Sequence, residues 1–165
     1  MNIYIQGCQP HAIPHCWPAC TIIGILHLVN STPADWFCKL QGSVETTTYG
    51  SEFVAARLAT EQQMMDMYYT LPSLGAPMDG KAYMFGDNTS VIASSTILHS
   101  FLNKRHNALS YYHRVLREAI ASNVLWFFHI PGKVNPADVL TKFCAGHAVF
   151  WPLIKPCLFW RVVQL

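Results

Sequence analysis

The spacing of apolar residues changes period along this chain, and the order of the changes limits the folds open to it. Ile22 to Val29 is a nearly continuous apolar run of strand length, closed by the turn residues Asn30, Ser31, Thr32 and Pro33. Ala34 to Leu40 and Val44 to Tyr49 are rich in β-branched and aromatic residues and read as the next strand, with Gln41-Gly42 as a turn or bulge. From Ser51 the period becomes helical, through Phe53, Val54, Leu58, Met64, Met65, Met67, Tyr68, Leu71 and Leu74. Ser51 is the expected N-cap, and Pro72 and Gly75 mark the end. Ala82 to Gly86 is a short strand that stops at Asp87-Asn88. A second long helix is expected over roughly 105–122, a final strand over Val124 to Ile130, and a third helix opened by Asn135-Pro136. Strand, strand, helix, strand, helix, strand, helix is the order of an α/β domain on a mixed sheet.

At 165 residues the chain has room for one such domain and a proper core. Charged residues are 12% and apolar ones 52%, which excludes intrinsic disorder. A formal net charge of +2 excludes a generic basic nucleic-acid binder of the arginine-rich kind. Mean hydropathy is +0.21, yet no apolar run reaches the length a membrane span needs. Without a signal-peptide pattern, the six cysteines read as reduced thiols of an intracellular, cytoplasmic or nuclear, non-secreted protein. Residues 1–20 look unlike the rest. Pro10, Pro14 and Pro18 are interleaved with Cys8, His11, His15, Cys16 and Cys20, so the segment reads as an irregular leader. The expected organisation is therefore leader 1–20, domain 21–146 and an apolar C-terminal tail 147–165.

Nine carboxylates are few enough to weigh singly. Glu52 stands near the start of the first long helix, Asp87 at the end of the third strand, and Asp138 in the first turn after Asn135-Pro136. Each has a plain structural reading: Glu52 and Asp138 suit a helix N-terminus, and Asp87 starts a turn. Together they stand at strand and helix ends, where α/β sheets gather their ligands. Convergent carboxylates repel unless cations sit between them, and oxygen ligands suit Mg²⁺ or Mn²⁺.

The segments Val44-Glu45-Thr46-Thr47-Thr48-Tyr49-Gly50-Ser51-Glu52-Phe53-Val54-Ala55, Tyr83-Met84-Phe85-Gly86-Asp87-Asn88, Lys104-Arg105-His106-Asn107-Ala108-Leu109-Ser110 and His129 to Lys142 resemble the ribonuclease H domain of copia-type retrotransposon polyproteins. The resemblance runs from about Thr21 to Trp160, with the motifs in the family's order. It implies a ribonuclease H-like fold, a five-stranded mixed sheet flanked by helices. It also implies cleavage of the RNA strand of an RNA–DNA hybrid by two Mg²⁺ or Mn²⁺ ions held by four acids. As partners it implies the hybrid and the reverse transcriptase portion of a parent polyprotein, with no membrane. Glu52, Asp87 and Asp138 match the second, third and fourth acids, as catalytic and metal-binding residues. The apolar tail resembles the family's end region, which would be covered within a larger polyprotein.

The first acid has no match. No acid occurs before Asp35, and if Ile3-Tyr4-Ile5 is what remains of the opening strand, Gln6 stands near its place. Glutamine offers one neutral oxygen and no charge to share between two cations. Weak cation binding and weak or absent nuclease activity follow. Glu first and Asp last favours the ribonuclease arrangement over that of integrases and transposases, and His129 reads as a strand residue. Lys104, Arg105, Arg114 and Arg117, with Asn88 and Ser90 beside Asp87, are the candidate contacts to nucleic acid. Two other functional classes compete: a non-catalytic interaction module that keeps the fold, and a zinc-binding fragment built on the Cys/His-rich leader.

Overall fold

The computed structural model describes residues 1–8, 21–41, 48–76, 78, 80–96, 110–141 and 147–158. Five strands form one sheet: β1 (Asn2–Cys8), β2 (Ile22–Val29), β3 (Thr32–Leu40), β4 (Ala82–Gly86) and β5 (Leu125–His129). Their order is β3-β2-β1-β4-β5. β1 runs antiparallel to β2 and parallel to β4, and β4 is parallel to β5. The expected mixed sheet is therefore present.

β1 corrects the reading of residues 1–20 as irregular throughout. Asn2–Cys8 is the central strand, pairing on both sides. Pro10, Pro14 and Pro18 all follow Cys8, so no proline interrupts the strand ladder. Ile3 and Ile5 are fully buried and alternate with Tyr4 and Gln6 on the other face. Residues 9–20, with most of the candidate zinc ligands, lie outside the described residues.

β2 and β3 form a hairpin through Asn30 (φ 50°) and Ser31 (φ 64°), a two-residue turn with both central residues left-handed. Tolerance of that conformation is a property of asparagine, and it places the turn where the sequence suggested. The pairing register shifts between His27 and Leu28, where Asp35 and then Pro33 oppose them.

The first long helix starts earlier than expected. α1 covers Thr48–Leu58, continues through a π-helical stretch at Ala59–Met64, and becomes α2 at Met65–Ser73. Thr48 and Tyr49 are thus helical, although β-branched and aromatic composition suggested strand; Val44 to Thr47 lie outside the described residues. Tertiary contacts override the propensity: the Tyr49 hydroxyl meets Ser94 Oγ at 2.9 Å, and the ring packs on Phe53. Ser51 is consequently not an N-cap. It is buried inside α1, its hydroxyl 3.3 Å from Thr21 Oγ1.

The remaining helices are α3 (Thr89–Thr96), α4 (Ser110–Ala121), α5 (Asp138–Thr141) and α6 (His147–Leu158). The expected second long helix is described only from Ser110, and the expected tail is helical as far as Leu158. The core fills the space between the sheet and α1, α3 and α4, with Ile3, Ile5, Ile23, Ile25, Phe53, Met84, Leu116 and Leu125 at its centre. α5 packs on the other face over β1 and β2. Gly24 makes that seat: a Cβ there would stand 2.8 Å from Thr141 Cγ2 and 2.9 Å from the Ala137 carbonyl. Beyond α5 and α6 the outer face of β4 and β5 shows Tyr83, Trp126 and Phe128, each about 40% exposed (38%, 43% and 40%), in mutual ring contact.

Candidate active site

Three strand and helix ends meet beside the middle of β1. Glu52 lies one turn inside α1, so the expectation that it merely decorates the helix N-terminus fails. It is 3% exposed, and its Oε1 accepts a 2.8 Å hydrogen bond from the Gly7 backbone N–H. That bond requires α1 to lie almost on the β1 backbone. A Cβ at Gly7 would stand 2.6 Å from the Ser51 carbonyl group, which only glycine avoids.

The Glu52 carboxyl is raised well above the usual range, first by burial, then by the Asp87 carboxylate, with Asp138 adding a smaller push. Its Oε2 meets no donor. Ionised, Glu52 and Asp87 are both acceptors, so each disfavours the charge of the other unless a proton or a cation lies between them. The raised affinity of Glu52 for a proton is the answer to that frustration.

Asp87 follows β4 directly and is half-buried. Its Oδ2 accepts from Gln6 Nε2 at 3.3 Å. Gln6 is 8% exposed, and its Oε1 accepts from Asn135 Nδ2 at 2.9 Å. Asn135 is fully buried; Nδ2 also donates to the Ile5 carbonyl at 2.9 Å, while Oδ1 accepts the Ala137 N–H at 3.1 Å. Asn135 was expected as a helix cap, and it caps. Its bond to Gln6 was invisible in sequence, because the two residues are far apart in the chain and meet only through the sheet. Asp138, 3% exposed, opens α5 as expected and is the third acid within electrostatic reach of Glu52.

The candidate nucleic-acid contacts divide. Asn88 caps α3, its Oδ1 accepting from Ser90 N–H at 3.0 Å and Val91 N–H at 3.4 Å. Ser90 is exposed beside it. On α4, Arg114 is exposed and paired with Glu118 at 2.8 Å, and Arg117 is half-buried. Lys104 and Arg105 lie outside the described residues. His129 ends β5 as a strand residue.

Among the described residues no helix is long and apolar enough to cross a membrane. No protein-family model and no curated protein matches the chain. The sheet order and the flanking helices define a ribonuclease H-like α/β fold. Among solved structures the chain is similar to LC11-RNase H1 isolated from compost, with a TM-score of 0.60 and 18% identity over 85% of this chain and 91% of that one. LC11-RNase H1 in complex with an RNA/DNA hybrid gives a TM-score of 0.62 and 19% identity over 85% and 92%. RNase H1 from the halophilic archaeon Halobacterium salinarum NRC-1 gives 0.59 and 18% over 85% and 92%. At these identities the likeness is one of fold.

Ribonucleases H are metal-dependent, generally on Mg²⁺, which makes the donor set worth testing. The buried Glu52 Oε2 meets no donor, and with Asp87 it would suit a divalent cation, since Mg²⁺ commonly takes one or two carboxylates and keeps waters. A pair of ions does not fit. Among the described residues no three His, Cys, Asp or Glu side chains are gathered for a metal, and the β1 side chain that meets Asp87 is the neutral Gln6 amide.

Proposed function

We propose that this chain is the ribonuclease H-like domain of a copia-type retrotransposon, engaging RNA–DNA hybrids, with a hydrolytic centre that is weakened or inactive. The observation that carries the reading is Glu52 beside Asp87 next to β1, with Asp138 within electrostatic reach and Gln6 of β1 donating to Asp87. The ancestral reaction would be two-metal hydrolysis of the RNA strand, for which four acids share the charge of two cations. With three acids that charge balance falls short by one unit. What the chain's own residues do is narrower: the buried Glu52 carboxyl accepts the Gly7 N–H, and Gln6 donates to Asp87. In this reading the hybrid lies across the ends of β1 and β4, with Asn88, Ser90, Arg114 and Arg117 toward its phosphates, and Lys104 and Arg105 are further candidate contacts by sequence. The parent polyprotein's reverse transcriptase portion is the protein partner. An intracellular setting belongs to the same reading, and Cys38 and Cys157 are free thiols in keeping with it.

Gln6 also favours a second reading, a non-catalytic module that keeps the fold and the partner surface. Hybrid binding separates the two. Fluorescence titration with a short RNA–DNA hybrid is expected to give salt-dependent binding, and replacing Arg114 and Arg117 with alanine to lower the salt slope by roughly 1–2. No binding at low salt would sink the first reading and leave the module.

A further inference from the structure

We infer that the outer face of the sheet is a platform for single-stranded nucleic acid. Its bases stack on Tyr83, Trp126 and Phe128, and its phosphates meet Lys81 and Lys133. None of these residues belongs to the acid cluster.

The strand ladder sets the rings out in rows. β1, β4 and β5 are parallel neighbours, and their register puts Tyr4 beside Phe85 and Phe85 beside Phe128, with Tyr83 beside Trp126 in the next row. Tyr4 and Phe85 stack with ring centres 4.9 Å apart, and Phe85 and Phe128 stack at 6.0 Å. Tyr83 meets Trp126 edge-on at 6.3 Å. Trp126 Nε1 also donates to Asn123 Oδ1 at 2.8 Å, which fixes the indole before any ligand arrives and lowers the cost of ordering it.

The two faces of these strands differ in kind. On the inner face Ile3, Ile5 and Leu125 are aliphatic and interdigitate with the core. The outer positions of β4 and β5 are Tyr83, Phe85, Trp126 and Phe128, all of them aromatic. Flat rings side by side on a sheet are what unpaired bases stack on, whatever their sequence. A duplex keeps its base faces covered, so such a surface favours single strands.

Charge agrees with that occupant. Lys81 Nζ lies 4.4 Å from the Trp126 ring centre, and the ion pairs among the described residues do not include it. Asn2 and Tyr4, the register partners of Tyr83 and Phe85, line a cleft of about 440 Å³ that also holds the exposed Lys133. Rings and cleft are therefore one continuous surface, with a lysine in each part.

The test is fluorescence anisotropy of a short fluorescein-labelled oligothymidylate, titrated with the full chain at low salt. The wild type is expected to bind it. Trp126→Ala combined with Phe128→Ala is expected to weaken binding at least about tenfold, whereas Trp126→Phe keeps a ring and retains it. Should the alanine pair not fold, Lys81→Glu with Lys133→Glu changes only surface charge and is expected to abolish binding. A short blunt-ended RNA–DNA hybrid is expected not to displace the oligonucleotide. No binding by the wild type, or wild-type binding by a folded variant of either pair, would overturn the inference. Displacement by the hybrid would overturn it too, placing the strand in the hybrid's own site. So would sedimentation showing a wild-type dimer that the alanine pair dissolves, because a second copy of the chain would then cover the face.

Discussion

Two buried titratable residues pull stability in opposite directions with pH. His27 is fully buried with neither ring nitrogen hydrogen-bonded, and burial lowers it to about 4 against the partial help of Asp35. The 3.9 Å approach to Asp35 is therefore no ion pair at neutral pH. With the folded value below the unfolded one of about 6.5, the unfolded chain binds the extra proton. Stability is then lost as pH falls from about 6.5 toward 4, by an amount of order 3 kcal/mol. Glu52 acts the other way. Its folded value is raised, so the folded chain binds the extra proton and stability is lost as pH rises above the unfolded value of about 4.3. Melting curves from pH 4 to 8 are expected to show His27→Leu flattening the acid side. Glu52→Gln is expected to raise the melting temperature at pH 7, relief of a buried unpaired group being worth about 1–3 kcal/mol of stability. A melting temperature unchanged by Glu52→Gln would mean that the carboxyl is not strained where it sits.

At the scale of elements, the acids are placed by close packing of backbone on backbone. α1 reaches β1 at Gly7, and the contact both seats Glu52 and supplies its N–H donor. Gly7→Ala must push α1 off β1, at about 1–3 kcal/mol of stability. Hydrogen exchange is expected to rise in α1 more than in β5, and equal protection in both would refute the contact's role. The same packing explains which elements could be read in the sequence. β2, β4 and β5 announce themselves by apolar runs between turn residues, and the helix ends near Pro72 and Gly75. The helix start could not be read, because Thr48 and Tyr49 carry strand propensity that only the contact with α3 and Phe53 reverses. β1 was hidden by its neighbours in sequence. A Cys/His/Pro-rich stretch follows it directly, and the two read together as one irregular leader.

For the whole molecule, the chain order of the elements after β1 pointed to an α/β domain on a mixed sheet, and the motif resemblance supplied the ribonuclease H-like fold. Of the site, Glu52, Asp87 and Asp138 could be picked out as a set, since so few acids were available. The Asn135–Gln6–Asp87 chain could not, because it depends on which faces of β1 and the 131–138 loop meet. The apolar composition is not confined to the tail. Part of it lies in α6, where Trp151 and Leu158 are 37% and 61% exposed. Another part is the outer face of β4 and β5, where Lys81 Nζ lies 4.4 Å from the Trp126 ring centre. That face lies on the far side of the sheet from the core.

The central claim is that a ribonuclease H-like site has lost the charge it needs for hydrolysis at one β1 position. Cleavage of a labelled RNA–DNA hybrid in Mg²⁺ and in Mn²⁺ tests it most directly, with wild type and Asp87→Asn compared at equal concentration. The account predicts an RNA strand cut no faster by the wild type than by Asp87→Asn. Multiple turnover by the wild type, abolished in Asp87→Asn, would contradict it.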